Sequence, residues 1–197
     1  MADPPSLARH FAAEAHNNAW ANHRLLEACA RLSQADFAAP RTGFFPSIKA
    51  TLNHILTVDW LYVDALERTL AHREPHEDPG AFFRPEEPFE TCAGLAAAQR
   101  ATDRRLLALC DALRDEDLRA EVAIRRAHGI ARDPVQRILA HLFQHQVHHR
   151  GQAHAMLSGT PVAPPQLDEF YCAGDAALRA ADFAALGFTE SAIWREG

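Results

Sequence analysis

The stretch from Pro134 to Met156 constrains this chain more than any other. Read at helical period, Val135, Ile138, Leu142, His145, His149, Gln152 and Met156 recur at alternating steps of three and four. That spacing draws one buried stripe along an amphipathic helix. Three successive positions of the stripe are polar, where a helix that only had to pack would carry apolar side chains. Burying an imidazole without a partner costs on the order of 1–3 kcal/mol. Something must satisfy these side chains, and a metal ion does so with the fewest additional groups.

Three further helical patterns share the chain. The first runs from about Ser6 to Arg31, with Leu7, Phe11, Asn18, Leu25 and Cys29 near one face. The second starts at Ser47, an N-cap after Pro46, and continues to about His72 with Ile48, Leu52, Ile55, Tyr62, Leu66 and Leu70. The third covers about Thr91 to Leu113. The fourth, which carries the histidines, is expected to start with Asp133 as cap and Pro134 at its first position, and to stop at Gly159. Between the third and fourth, Leu118 to Ile130 alternates weakly, as a short hairpin or a loop would. A Pro-rich arm after Pro161 leads to a short Ala-rich helix near Asp175 to Leu186 and a last turn holding Trp194. The fold class is therefore all-α, a four-helix bundle with a short C-terminal helical extension. Its division is residues 1–163 for the bundle and 164–197 for the arm and helices that pack on the bundle or on a dimer partner.

Composition excludes several classes. With 48% hydrophobic residues in 197, there is material for a full core, yet no uninterrupted apolar run long enough to span a membrane. A formal charge of −6 argues against nucleic acid as an obligate partner. The first residues lack the basic and apolar regions of a secretory signal, so a cytoplasmic location is expected. Cys29, Cys92, Cys110 and Cys172 are scattered without a C-x-x-C pair, as reduced thiols would be. Of the 12 histidines, four fall within residues 141–149.

His145 and His149 project from one helix face a turn apart, close enough to share one ion; a hydrogen-bonded core pair is the alternative. His54, among Leu52, Ile55 and Val58 of the second helix, is the candidate third ligand. His141 drifts about 80° and about 12 Å from His149, too far to share the ion. It is read as a supporting or packing residue, and His148, on the flank, as a supporting or exposed one. Gln146 after His145 excludes the zincin pattern, and no Glu-x-x-His occurs for a di-iron site. Three imidazoles suit Zn, Ni, Cu or Fe comparably and leave coordination positions open. Asn53 and Gln152 are candidates to orient ligands, Asp59 or Glu14 to serve as a base, and Arg150 to pair with a carboxylate or a dimer partner. Trp20, Trp60, Tyr62 and Phe143 are read as core, with a wall above the metal as the alternative.

Asn17-Asn18-Ala19-Trp20-Ala21-Asn22, Leu52-Asn53-His54-Ile55, His145-x-x-His148-His149-Arg150-Gly151-Gln152 and Pro164-Pro165-x-Leu167-Asp168 together resemble the DinB family over roughly residues 10–170. The resemblance implies an up-down-down-up bundle and, since many members crystallise as homodimers, a homodimer. It implies a divalent ion, Zn or Ni, held by one histidine of the second helix and two of the fourth, which map onto His54, His145 and His149. The wider superfamily includes enzymes that transfer low-molecular-weight thiols such as bacillithiol or mycothiol to electrophiles. A metal-dependent thiol S-transferase in detoxification or stress response is accordingly the leading expectation, with a small molecule as partner and no other cofactor. Metal-assisted hydrolysis and a non-enzymatic metal-binding stress protein are the alternatives. No residue is singled out as catalytic.

Overall fold

Hydroxyl side chains start three of the four long helices, each accepting one of the orphan N–H groups of the first turn. A computed structural model describes residues 6–194. In chain order its elements are α1 (Leu7–Cys29), α2 (Gln34–Ala38), α3 (Ile48–Leu70), α4 (Cys92–Ala112), β1 (Glu121–Arg126), β2 (Gly129–Pro134), α5 (Val135–Leu157), α6 (Ala176–Leu186) and α7 (Glu190–Trp194). The chain is mostly helical, with one two-stranded antiparallel sheet. No helix among the described residues is long and apolar enough to cross a membrane.

The caps Ser6, Ser47 and Thr91 accept the N–H groups of Arg9, Ala50 and Gly94 at 3.3, 3.0 and 3.2 Å. The start of α5 corrects the sequence expectation. Pro134 occupies the cap position without a side-chain bond, while Asp133 belongs to β2 and pairs with Arg137 at 3.1 Å. The strand runs straight into the helix, so the turn that an aspartate cap would make is absent. The Val135 N–H goes instead to the carbonyl of Ala120 at 2.9 Å. The ambiguous segment before α5 is a hairpin, with Arg126 opposite Gly129 at its turn and Glu121 opposite Pro134. Gly129 has φ 127°, a region that favours glycine. Only Val122 and Ile124 of the hairpin point into the core, while β2 is largely exposed, which explains the weak alternation. The five-residue α2 escaped the sequence reading. It buries Phe37 between the first two long helices.

Two apolar cores fill the helical body. One joins Phe11 and Ala15 of α1, Leu61 and Leu66 of α3, Leu106 and Leu109 of α4, and Val135 to Phe143 of α5. The other joins Leu25 and Cys29, Leu52 and Leu56, Leu95, and Ala153 to Leu157. Each core thus takes the beginnings of α1 and α5 with the ends of α3 and α4, or the reverse. Leu7, expected on the inner face, is exposed, because α1 has barely begun there.

The C-terminal segment packs on α1 of the same chain. Trp20 and Ala21 form a third cluster with Phe170 and Phe183. Arg24 clamps the arm, donating to Asp182 and Glu169 at 2.6 Å each and to the carbonyl of Leu178 at 2.6 Å. Arg179 is fully buried, held by both carboxylate oxygens of Glu190 and by the carbonyls of Glu169 and Cys172. All four cysteines are free thiols, and burial pushes that of Cys29 up to about 12.

Candidate metal centre

His54 sits nearly two turns into α3, and His145 and His149 lie about one turn apart near the middle of α5. Packing of these two helices brings the three rings together. Their ligand nitrogens all lie within 4.8 Å of one another, and Nε2 of His54 is 3.0 Å from Nε2 of His145. Ring centroids are 5.0, 4.7 and 4.4 Å apart for the pairs 54–145, 54–149 and 145–149. Around a tetrahedral ion with bonds of about 2.0–2.1 Å, adjacent nitrogens stand about 3.3 Å apart. The cluster is on that scale and fits a divalent ion.

Electrostatics favour lone pairs over protons here. Burial, then the neighbouring His149, lowers the imidazole of His54 to about 4. Burial, then the crowd of His149, His54, His141 and His148, lowers His145 to about 3. His149 is lowered too, first by burial, with the Gln152 hydrogen bond acting the other way. All three are therefore neutral at physiological pH, the state a metal requires. Internal hydrogen bonding does not satisfy the cluster, since Nδ1 of His145 is buried without a partner.

Gln152 does orient a ring, as its place on the stripe suggested. Its Oε1 accepts from Nδ1 of His149 at 2.9 Å, which leaves Nε2 of His149 as the available lone pair. Its Nε2 donates to His148 at 3.0 Å, so His148 supports the cluster from the flank. Asn53 does not share this role. Its amide holds the backbone N–H and carbonyl of Phe89 and the carbonyl of Lys49, fixing the loop before α4. His141 packs against the ring of Tyr62 at 5.2 Å, with its own ring 6.2 Å from that of His145.

The aromatic wall is not the one the sequence suggested. Trp20 lies in the C-terminal cluster, Trp60 donates to Thr102 at 3.0 Å, and Phe143 stacks on Phe11. Phe44 and Phe45 stand beside the imidazoles instead, Phe45 4.3 Å from His54 and 5.5 Å from His149, and Phe44 6.1 Å from His149. They sit at the tip of the loop between α2 and α3, which the Arg41 N–H closes on the carbonyl of Pro46 at 2.7 Å. Gly43 lets that loop lie against the end of Met156, where a β-carbon would collide. Two adjacent phenylalanines between Gly43 and Pro46, with no helical period to explain them, were the available sequence signal.

A second polar cluster lies midway along the helices, between the two cores. Arg150 Nη1 donates to Asn22 at 3.0 Å, to Gln146 at 3.2 Å and to Asn18. Asn22 donates to Asp103 at 3.0 Å. Gln99 donates to Asp103 at 3.0 Å and to Asp59 at 2.8 Å, and Gln146 donates to Asp59. The bonds close a ring through all four long helices. Burial raises Asp59 to about 7 and Asp103 to about 6, against the pull of the amides that donate to them. Burial likewise lowers Arg150 to about 10, against the carboxylates. Arg150 therefore faces inward, to amides and carboxylates of its own chain. Asp59 is buried rather than solvated, with one carboxylate oxygen held by Gln99 and Gln146. The pairs Asn18/Asn22, Gln99/Asp103 and Gln146/Arg150, each four apart, were the sequence signal.

A cleft of about 710 Å³ runs along Leu70, Leu109 and Leu113, and none of the three histidines lines it.

The chain is mostly helical, and three neutral imidazoles gathered from two of its long helices could hold a metal ion. The DinB family model matches residues 10–175, and the chain belongs to that family. No curated relative matches it.

Proposed function

We propose that the chain binds a divalent transition metal, Zn or Ni, through His54, His145 and His149, and uses it to join a low-molecular-weight thiol to an electrophile. The observation that carries the reading is the convergence of the three ring nitrogens within 4.8 Å, one ring oriented by Gln152. When bound, the ion lowers the pKa of a coordinating thiol, so that thiolate is available at neutral pH. The chain's own residues orient the imidazoles and keep them neutral, with exposed Phe44 beside His149. Hydrolysis is the weaker reading, because the cluster holds no carboxylate and Asp59 is engaged in the buried ring.

The pairing of helix ends in the two cores supports an up-down-down-up four-helix bundle within residues 1–163, with residues 164–197 as its extension. A homodimer in the cytoplasm, serving detoxification or stress response, completes the proposal.

Metal analysis of freshly purified protein, then conjugation of a thiol to a model electrophile with and without chelation, tests the activity. The expected result is near one metal per chain and conjugation lost in His149→Ala. Conjugation that survives complete metal removal would reject the transferase.

A further inference from the structure

The loop between α2 and α3 places an aromatic pair where nothing internal requires one. Phe44 is 76% exposed, the most exposed large apolar side chain among the described residues. An exposed phenylalanine is ordinarily unremarked, but this one is held beside His149 and edge-on to Phe45 at 5.0 Å. Its position is built. The loop is closed by Arg41 and Pro46, pressed on Met156 through Gly43, and anchored by the Arg41 guanidinium on the carbonyls of Asp36 and Gly159. The pair therefore forms an apolar wall beside the imidazoles of His54 and His149.

Charge defines the other half of the ligand. Three neutral imidazoles contribute no negative charge, and the cluster holds no carboxylate. A divalent ion in it would favour an anionic donor in the open position. We infer that Phe44 and Phe45 form a specificity subsite for the aromatic or bulky aliphatic body of a small molecule whose anionic donor atom reaches the metal position between His54, His145 and His149. This rests on the metal-centre reading above and adds the substrate class: a small apolar molecule with an anionic donor, a thiol under that reading, in place of sugar-like or highly charged ones. Phe45, packed on His54, shapes the floor, and exposed Phe44 supplies the discriminating surface.

The test uses the full chain loaded with Co(II), with ligand binding followed in the visible spectrum. Phenylmethanethiol is compared with 2-mercaptoethanol, thiols of similar acidity, and phenylacetate with acetate. The aryl member of each pair is expected to bind about tenfold or more tighter, the order set by taking part of a phenyl ring out of water. In Phe44→Ser that preference should shrink severalfold, while cobalt stoichiometry and the affinity for 2-mercaptoethanol and acetate stay unchanged. Because Phe44 is exposed, the substitution leaves the core intact. Equal affinities within both pairs in the unsubstituted protein, or a preference untouched by Phe44→Ser, overturn the subsite. A carboxylate preference lost in Phe44→Ser, with neither thiol binding, upholds the subsite and rejects the thiol chemistry. A protein that takes up no cobalt overturns both.

Discussion

The two polar clusters inside the helices make an instructive pair. The ring of Arg150, Asn22, Asp103, Gln99, Asp59 and Gln146 closes on itself, each amide accepting from the cation or donating to a carboxylate. The imidazole cluster does not close. Two ring nitrogens face each other, and one side of His145 has no partner at all. Both draw on α3 and α5, and Gln146 and Arg150 directly follow His145 and His149 in sequence. A 100° step around one helix therefore separates a closed hydrogen-bonded ring, in which Asp59 Oδ1 and the neighbouring Asn18 Nδ2 lack partners, from a cluster whose converging nitrogens could hold an outside ion. The first holds four helices in register; the second is available for chemistry.

The contrast breaks most visibly at Arg150. Arg150→Met leaves two buried carboxylates without their cation, and should lower stability by about 3–5 kcal/mol, metal or no metal. Urea unfolding with and without chelator measures it. A loss under about 1 kcal/mol would mean that the ring carries no weight. At the other cluster, Gln152→Leu releases the proton of His149 Nδ1 from its acceptor. It should weaken metal affinity about 10–100-fold, as loss of a ligand's hydrogen-bond partner usually does. Metal-free stability should shift by no more than about 0.5 kcal/mol. Competition against a chelating dye reads the first quantity and thermal melting the second.

The smallest effect is in pH, and the two clusters pull in opposite directions. His54 and His145 are lowered from 6.5 to about 4 and about 3 in the folded state. Between about pH 4 and 6.5 the unfolded chain binds protons that the folded chain refuses, so this cluster makes the metal-free protein more stable as pH rises. Asp59 and Asp103 are raised from 3.8 to about 7 and about 6, so the folded chain keeps protons that the unfolded chain has released. Their contribution is fully present below about pH 4 and falls as pH rises towards 7. Asp59→Asn should therefore make the melting temperature rise more steeply between pH 5 and 7, and His145→Ala should make it rise less. Unchanged slopes in both would show that neither cluster titrates as described.

Much of this was legible because α-helices write their inner faces at a fixed period. Ser6, Ser47 and Thr91 marked their helix starts, and the stripe through His145, His149 and Gln152 pointed to the site. His54 came from the same reasoning, a ring on a face too apolar for full solvation. The hairpin was ambiguous because only Val122 and Ile124 needed to face inward. The start of α5 was misplaced because a capping residue and a strand residue before proline look alike in one dimension. Gln146 and Arg150 lay off the main stripe, and their burial depended on amides from α1 and α4 that no local pattern pairs with them.

The sequence by itself determined which segments are helical and which faces carry the histidines, since period and capping are local properties of the chain. Tertiary structure alone decided that His54 meets His145, that Arg150 turns inward to Asn18 and Asn22, and that Phe44 and Phe45 overlook the cluster. The hydrogen-bonded ones among these span 91 to 132 positions of chain. Such contacts arise from how helices rotate and dock to bury their apolar cores, which no single segment specifies.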